Sequence, residues 1–430
     1  MKRKLILAGG LAICAAAVFT GISFAHANST TTITVWTRTY PLDQQSPYYS
    51  AAKKFEKLHP GVKVNFTGFD GDVLHQKLLL GKAGGPSPDI EQTDTIWLGE
   101  FAQNGIATNL DSYYAKWAGK KDYPPNFLAS SKWKGHYYGA WLNTDVRILL
   151  WNKDVFRKAG LNPNVGPTTW AQVVAMGKQI QAKEPGVVGV GINAAASEDT
   201  ADYWYPFLWM AGGDILNKSW TKAAFNSSAG VRALQFYVDL VKKYQVTPKD
   251  VITQDSSSTE QALLSGKFGI LLSQSGSGYG DLPTKVSIPK FKSMIGNGVL
   301  PVCPGCRPAT GSGGWLLTIN SKSKNATLDW QLITLIVNGE NNVPFNKAQA
   351  TVPVRTSIIK KYRNGMPGYP YFNVVAATYP HTHFRPWVPQ YPKFVPYIYT
   401  AIEKAVAGQL TSKQALDQAA AQTNKVMSTK

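Results

Sequence analysis

Apolar residues recur along this chain with two alternating spacings. Thr32 to Thr37 (TITVWT) has the β-branched and aromatic residues of a strand. Tyr48, Ala52, Phe55 and Leu58 then recur at helical spacing, until His59-Pro60-Gly61 ends the run. The same reading predicts a strand over Val62 to Thr67, a helix over Val73 to Lys82 and a Gly-Pro loop at 84–88. A short strand begins at Asp89, and a helix runs from Ile96 to Asn104-Gly105. Strands alternating with helices at this spacing predict a mostly parallel sheet covered by helices on both faces.

Beyond the middle of the chain the alternation resumes. Thr169 and Gln172 predict a capping box for a helix carrying Val173, Val174, Gly177 and Ile180. Strand Val187 to Ile192, a helix from Tyr203 to Met210 and a helix with Val231, Leu234, Val238 and Val241 follow. Ser257-x-x-Glu260 opens another helix, and strands are expected at Phe268 to Leu272 and Trp315 to Ile319. A helix bearing Leu328, Leu332, Leu335 and Ile336 comes next. The tail predicts helices over Val395 to Ala407 and Ser412 to Met427, the second capped by Thr411-x-x-Gln414. Met366 to Pro396 is rich in Pro and Tyr and cannot stay regular for long.

Residues 1–27 read as an export signal: Lys2-Arg3-Lys4, the apolar run Leu5 to Phe24, and Ala25-His26-Ala27 before Asn28. Retention as an anchor is the alternative. Lipidation at Cys14 is disfavoured, because Ile13 occupies the position that a small residue must fill. The remaining chain, about 400 residues, is too long for one core and suggests two lobes.

The formal charge of +19 drops by three to +16 without the signal. Its basic residues are scattered, which argues against a nucleic-acid partner. The charge fits either an anionic membrane or cell-wall surface, or an acidic habitat. After cleavage Cys303 and Cys306 remain, as Cys-Pro-Gly-Cys, and a local disulfide is expected in an oxidising compartment.

Gly139 to Trp170 is the most telling stretch. Strand Ile148-Leu149-Leu150-Trp151 runs into Asn152-Lys153-Asp154, then a short helix from Val155 to Ala159 that Gly160 ends, then a Pro-Thr-Thr-Trp helix start. This order resembles the inter-lobe crossing of family 1 extracellular solute-binding proteins, the sugar-capturing subunits of ABC importers. The likeness continues through ITVWTRTYP, FEKLHPGVKV, FAQNG, Ala211-Gly212-Gly213, LSGKFGI, Gly313 to Ile319 and TVPVR. Trp151 stands where the family usually has Tyr, and Ile148 where it prefers a small residue.

The resemblance implies an α/β, two-lobed periplasmic-binding-protein-like fold of type II, with a ligand cleft between the lobes. The first lobe would hold 28–144 plus 312–360, and the second 145–311 plus 361–430. The protein would be exported, extracellular, cell-surface or periplasmic, and expected to be monomeric. It would need no cofactor, bind a small-molecule carbohydrate ligand, expected to be an oligosaccharide, probe closed states by hinge motion and dock on a membrane permease.

A carbohydrate site needs aromatic platforms for C–H faces, with charged or amide groups for the hydroxyls. The resemblance and the strand ends together nominate Arg38, Tyr40, Asp94, Thr95 and Asp145. Asp202, Tyr203 and Trp204 precede the Gly-Gly turn, Gln274 and Tyr279 follow a strand, and Trp315, Arg355 and Trp387 are later candidates. Each has a plainer alternative: core packing for the aromatics, a helix N-cap for Asp94, a hinge salt bridge for Asp145.

Enzyme readings are weaker. No local motif nominates a glycosidase carboxylate pair, and no Gly-x-Ser-x-Gly elbow is present. Gly276 to Gly280 lacks the Lys of a phosphate loop, and His381-Thr382-His383 lacks a third metal ligand nearby in sequence. Among binding proteins, a phosphorylated small molecule such as a glycerol phosphate is the alternative ligand.

Overall fold

A computed structural model describes residues 30–38, 47–275, 287–349 and 351–429. The export segment, Tyr40, Tyr279 and the Gly276 to Gly280 run lie outside them. Nine strands form two sheets: β1 (Thr31–Arg38), β2 (Val62–Phe69), β3 (Ile90–Asp94), β4 (Gly139–Thr144), β5 (Arg147–Asn152), β6 (Val188–Gly191), β7 (Phe268–Ser275), β8 (Ile295–Gly298) and β9 (Gly314–Ile319). The first sheet has the order β2-β1-β3-β9-β4 and the second β8-β5-β7-β6. The chain passes from one sheet to the other at Asp145-Val146, between β4 and β5, and returns before β9.

The expected sheet character needs correction. β1 pairs parallel with β2 and β3, and β6 with β7, as alternating βαβ units require. Every strand next to a crossing pairs antiparallel: β9 with β3 and β4, and β5 with β7 and β8. These strands enter a sheet from the other one, so no crossover helix fixes their direction. The result is two mixed sheets.

Periodicity located most helices well. In Pro47–Leu58 the buried face is Tyr48, Ala51, Ala52 and Phe55, but Leu58 is 62% exposed. His59 takes its place, with its ring 4.2 Å from that of Phe55. The Thr169 hydroxyl accepts from Gln172 N, while the Gln172 side chain accepts from Thr168 N, so the expected box is displaced by one residue. Asp255 caps helix Ser256–Leu264 in place of Ser257, accepting from Ser258 N at 2.8 Å. The tail helix begins at Tyr391, four residues before the position expected from the Pro-rich run. Pro392 lies in its first turn, where a missing N–H costs nothing.

Helix Ser412–Ser428 carries the full capping box of Thr411 and Gln414. Thr411→Ala is expected to lower stability by about 1 kcal/mol, read from a denaturant midpoint; no change would mean the helix is held by packing alone. This helix packs on Tyr391–Ala407 and Ser228–Lys242, and Tyr391–Ala407 also lies against Ser228–Lys242 and Glu198–Met210. Cys303 and Cys306 are bonded across a turn, with Cα atoms 5.2 Å apart. No helix among the described residues is long and apolar enough to cross a membrane.

Candidate functional site

Parallel strands present ligand crevices at their carboxyl ends. β1 ends at Arg38 and β3 at Asp94, and Trp315 of β9 is the register partner of Asp94. The Arg38 guanidinium carbon lies 5.0 Å from the centroid of the Trp315 ring, which meets Trp97 edge-on at 5.4 Å. Three sequence candidates thus share one sheet edge.

A second group gathers where the chain crosses between sheets. Arg147 heads β5, all six residues of which are buried. It donates from Nη1 to Asp145 Oδ2 at 2.7 Å and from Nη2 to Asp202 Oδ2. Its guanidinium also lies over the Tyr203 ring, 4.6 Å from the centroid. Gly313 N donates to Asp145 Oδ1 at 3.1 Å, tying the second crossing to the first. Arg385 donates to Glu198 Oε1 at 2.7 Å, and its guanidinium is 3.5 Å from Asp94 Oδ1 and 3.8 Å from Asp202 Oδ2. Tyr391 OH donates to Glu198 as well, at 2.9 Å.

Two arginines therefore serve four carboxylates, Asp94, Asp145, Glu198 and Asp202, and the cluster carries excess negative charge. Burial would lower the pKa of both guanidiniums, but Asp145 and Asp202 around Arg147, and Asp202, Glu198 and Asp94 around Arg385, hold them well above the ordinary value. Burial raises the carboxyls of Glu198, to about 7, and Asp94; Arg385 offsets part of each shift. Asp202 Oδ1 is buried without a hydrogen-bond partner among the described residues. Such an acceptor can take a hydroxyl hydrogen at little reorganisation cost.

Asp94, Asp145, Asp202 and Tyr203 are thus brought together, with Arg38 and Trp315 adjoining through Asp94. Asp94 takes the N-cap role considered for it, since Ile96 N donates to its Oδ1 at 3.2 Å. Thr95 is buried and donates to Asp94 Oδ1. Trp204 is fully buried in the apolar core, while its neighbour Tyr203 meets Arg147. Gln274 lies on β7, and its side chain is outside the described part.

Arg355 and Trp387 stand apart. The Arg355 guanidinium is consumed by the Val337 and Gly119 carbonyls and packs on Tyr123 at 4.0 Å, a structural arrangement. Trp387 Nε1 donates to Lys132 O at 2.8 Å. His383 stacks on Trp209 at 5.2 Å, and among the described residues no three His, Cys, Asp or Glu side chains gather to hold a metal. Sequence reasoning missed Arg147, Arg385 and Glu198. An Arg heading an apolar strand two residues after Asp145 was a readable signal; Arg385, inside a Pro-rich stretch, gave none.

Residues 41–342 match the family model described as bacterial extracellular solute-binding protein. A Brucella abortus chain named as a binding protein is 26% identical over 387 residues, covering 89% of this chain and 90% of its own. The solved ABC transporter solute-binding protein of Thermotoga lettingae, bound with α-D-tagatose, superposes with a TM-score of 0.80 at 28% identity, over 92% of this chain and all of that one. The sn-glycerol-3-phosphate-binding periplasmic protein UgpB of Agrobacterium fabrum is 28% identical over 234 residues, 54% of this chain and 47% of its own.

Proposed function

The chain belongs to the bacterial extracellular solute-binding protein family, and from that premise we propose that it captures a carbohydrate between two α/β lobes and delivers it to an ABC importer. The lobes are 28–144 plus 312–360, and 145–311 plus 361–430. In support, all five strands of the first sheet fall in the first set and all four of the second sheet in the other. Export, by the basic and apolar leader, places the protein outside the cytoplasm, where Cys303–Cys306 stays oxidised. The ligand is released unchanged.

The carboxylate excess around Arg147 and Arg385 is the observation that carries this reading. Sugar hydroxyls donate to carboxylates, while Tyr203 and Trp315 offer faces for C–H groups. Asp94, Asp145, Asp202, Tyr203, Arg38 and Trp315 are the contacts proposed, with Arg147 and Arg385 holding the acids in place. Glycerol phosphate is the second reading, favoured by the UgpB likeness. It fits the charges less well, because both clustered guanidiniums are already engaged and a phosphate dianion would enter beside four acids.

Thermal-shift screening distinguishes the two. At a hundred times its Kd, a ligand adds about 2.7 kcal/mol of apparent stability. A mono- or oligosaccharide is expected to raise Tm by several degrees while glycerol 3-phosphate leaves it unmoved. The reverse pattern would establish the second reading, and no shift with any saccharide at millimolar concentration would reject the first.

A further inference from the structure

The second sheet is basic at the end away from the crossings. Register fixes that end: Ile295 of β8 pairs with Asn152 of β5, and Val188 of β6 with Phe268 of β7, while Arg147 pairs with Ser275 at the other. Helix Lys153–Lys158 starts where β5 stops, Lys267 directly precedes β7, and helix Ile288–Met294 runs straight into β8. A strand rises about 3.3 Å per residue, so this pole stands roughly 16 Å or more from Arg147.

Cations tie the two helices together. Lys153 Nζ donates to Lys292 O at 2.9 Å, and Arg157 Nη2 to Ser293 O at 3.4 Å. Lys153, Arg157, Lys158, Lys267, Lys290 and Lys292 thus gather at one end of the sheet. Against them stand Asp154, paired with Arg157, and Glu184, 3.9 Å from Lys158. Lys267, Lys290 and Lys292 are exposed and form no ion pair among the described residues. Burial, and after it the charge of Arg157, lowers the pKa of Lys153. Like charges are crowded here, and an anion would relieve them.

Beside these charges the surface is apolar. Val165 is 52% and Val299 43% exposed. Both flank the Trp151 indole, which lies so close to Gly166 and Gly296 that a Cβ at either would overlap the ring. Trp151 Nε1 donates to Pro163 O at 2.9 Å, and Val302 N to Thr168 O at 3.0 Å, so the two valine-bearing segments run side by side. Single exposed valines are ordinary. Two together at the margin of a basic surface suit an anionic bilayer, where lysines reach phosphates and apolar side chains enter the interface. A soluble polyanion would use the charges alone.

We propose that this pole is a membrane-contact surface for anionic phospholipid, its six cations meeting headgroup phosphates while Val165 and Val299 enter the interface. It needs neither the cleft ligand nor a permease.

Flotation of the exported protein with permease-free vesicles tests it, using pure phosphatidylcholine and an equimolar mixture with phosphatidylglycerol. Binding to the mixture is expected to exceed binding to phosphatidylcholine by about tenfold or more. Raising ionic strength from about 0.01 to 0.15 M shortens the screening length from about 30 to 8 Å and should remove most of the difference. Lys158→Gln/Lys290→Gln/Lys292→Gln should weaken binding by about tenfold. Lys53→Gln/Lys54→Gln/Lys57→Gln, the same charge change on exposed positions of helix Pro47–Leu58, should leave it within about twofold of wild type. Val165→Ser/Val299→Ser should weaken it about threefold or more with the salt dependence kept. All three variants should keep the wild-type Tm and its shift with the cleft ligand, so failure here leaves the carbohydrate reading standing. Equal binding to both vesicles overturns the proposal. Equal losses from the two lysine triples would assign binding to diffuse charge and overturn it too. Wild-type binding by the valine variant would make the surface one for any polyanion and reject the bilayer.

Discussion

Arg147→Met is expected to destabilise the ligand-free protein by about 3–5 kcal/mol, the cost of breaking a buried ion pair from one side. Arg147 is 4% exposed and its partner Asp202 only 3%. Met matches the length of the stem but supplies no charge, so Asp202 is left in an apolar setting with Arg385 alone, 3.8 Å away. Asp145, 19% exposed, can recruit water and loses less. The large loss measures the stranded acid and not the net worth of the pair. Arg147→Met/Asp202→Leu should therefore recover more than half of the lost stability, because the buried charge has gone. Thermal and denaturant unfolding of the three proteins reads this directly. A single mutant within 1 kcal/mol of wild type would show that the cluster is hydrated and not dry.

Glu91 controls the second large effect. It sits on β3 with no exposed surface, accepting from Asn320 Nδ2 at 2.8 Å and Thr318 Oγ1 at 3.1 Å. Burial pushes its carboxyl up to about 7, against the pull of those two donors. A folded-state pKa above the unfolded one means that folding takes up a proton between the two values. The associated stability is complete below the unfolded pKa and is lost as pH rises through about 7. The span of roughly two and a half units corresponds to about 3 kcal/mol.

Apparent Tm is therefore expected to rise as pH is lowered from 8 to 5. Glu91→Gln should reduce that slope, with Glu198 and Asp329 keeping their shares, and raise Tm at pH 8, since the amide can accept from Asn320 and donate to Thr318. An unchanged slope in the variant would assign the pH response to other carboxyls, such as Asp329, which burial raises to about 6. A slope of the expected sign also fits the acidic-habitat reading of the +19 charge.

Local chemistry was legible in the chain. Alternation placed β1 and β7, and Thr411-x-x-Gln414 announced its capping box. Ile148 to Trp151 followed by Asn152 marked the crossing, and Asn152 does cap the next helix by accepting from Asp154 N and Val155 N. Asp94 was legible as a polar residue at a strand end, where side chains face a crevice, and Asp145 and Asp202 through the family resemblance. Each of these signals acts over a few residues, within reach of one turn or one strand.

What the sequence could not supply was which distant residues share a charge. Arg385 meets Asp94 across 291 positions and Glu198 across 187, and only the path of the chain between the sheets sets those pairs. Strand direction was hidden for the same reason, because β9 enters its sheet from a crossing and lies antiparallel to β3 and β4. Trp204 and Tyr203, adjacent in the chain, went to core and cluster respectively, a division made by the helix's rotation against its neighbours. Short-range order was written in residue types; partnership over hundreds of residues came from packing, which no local pattern encodes.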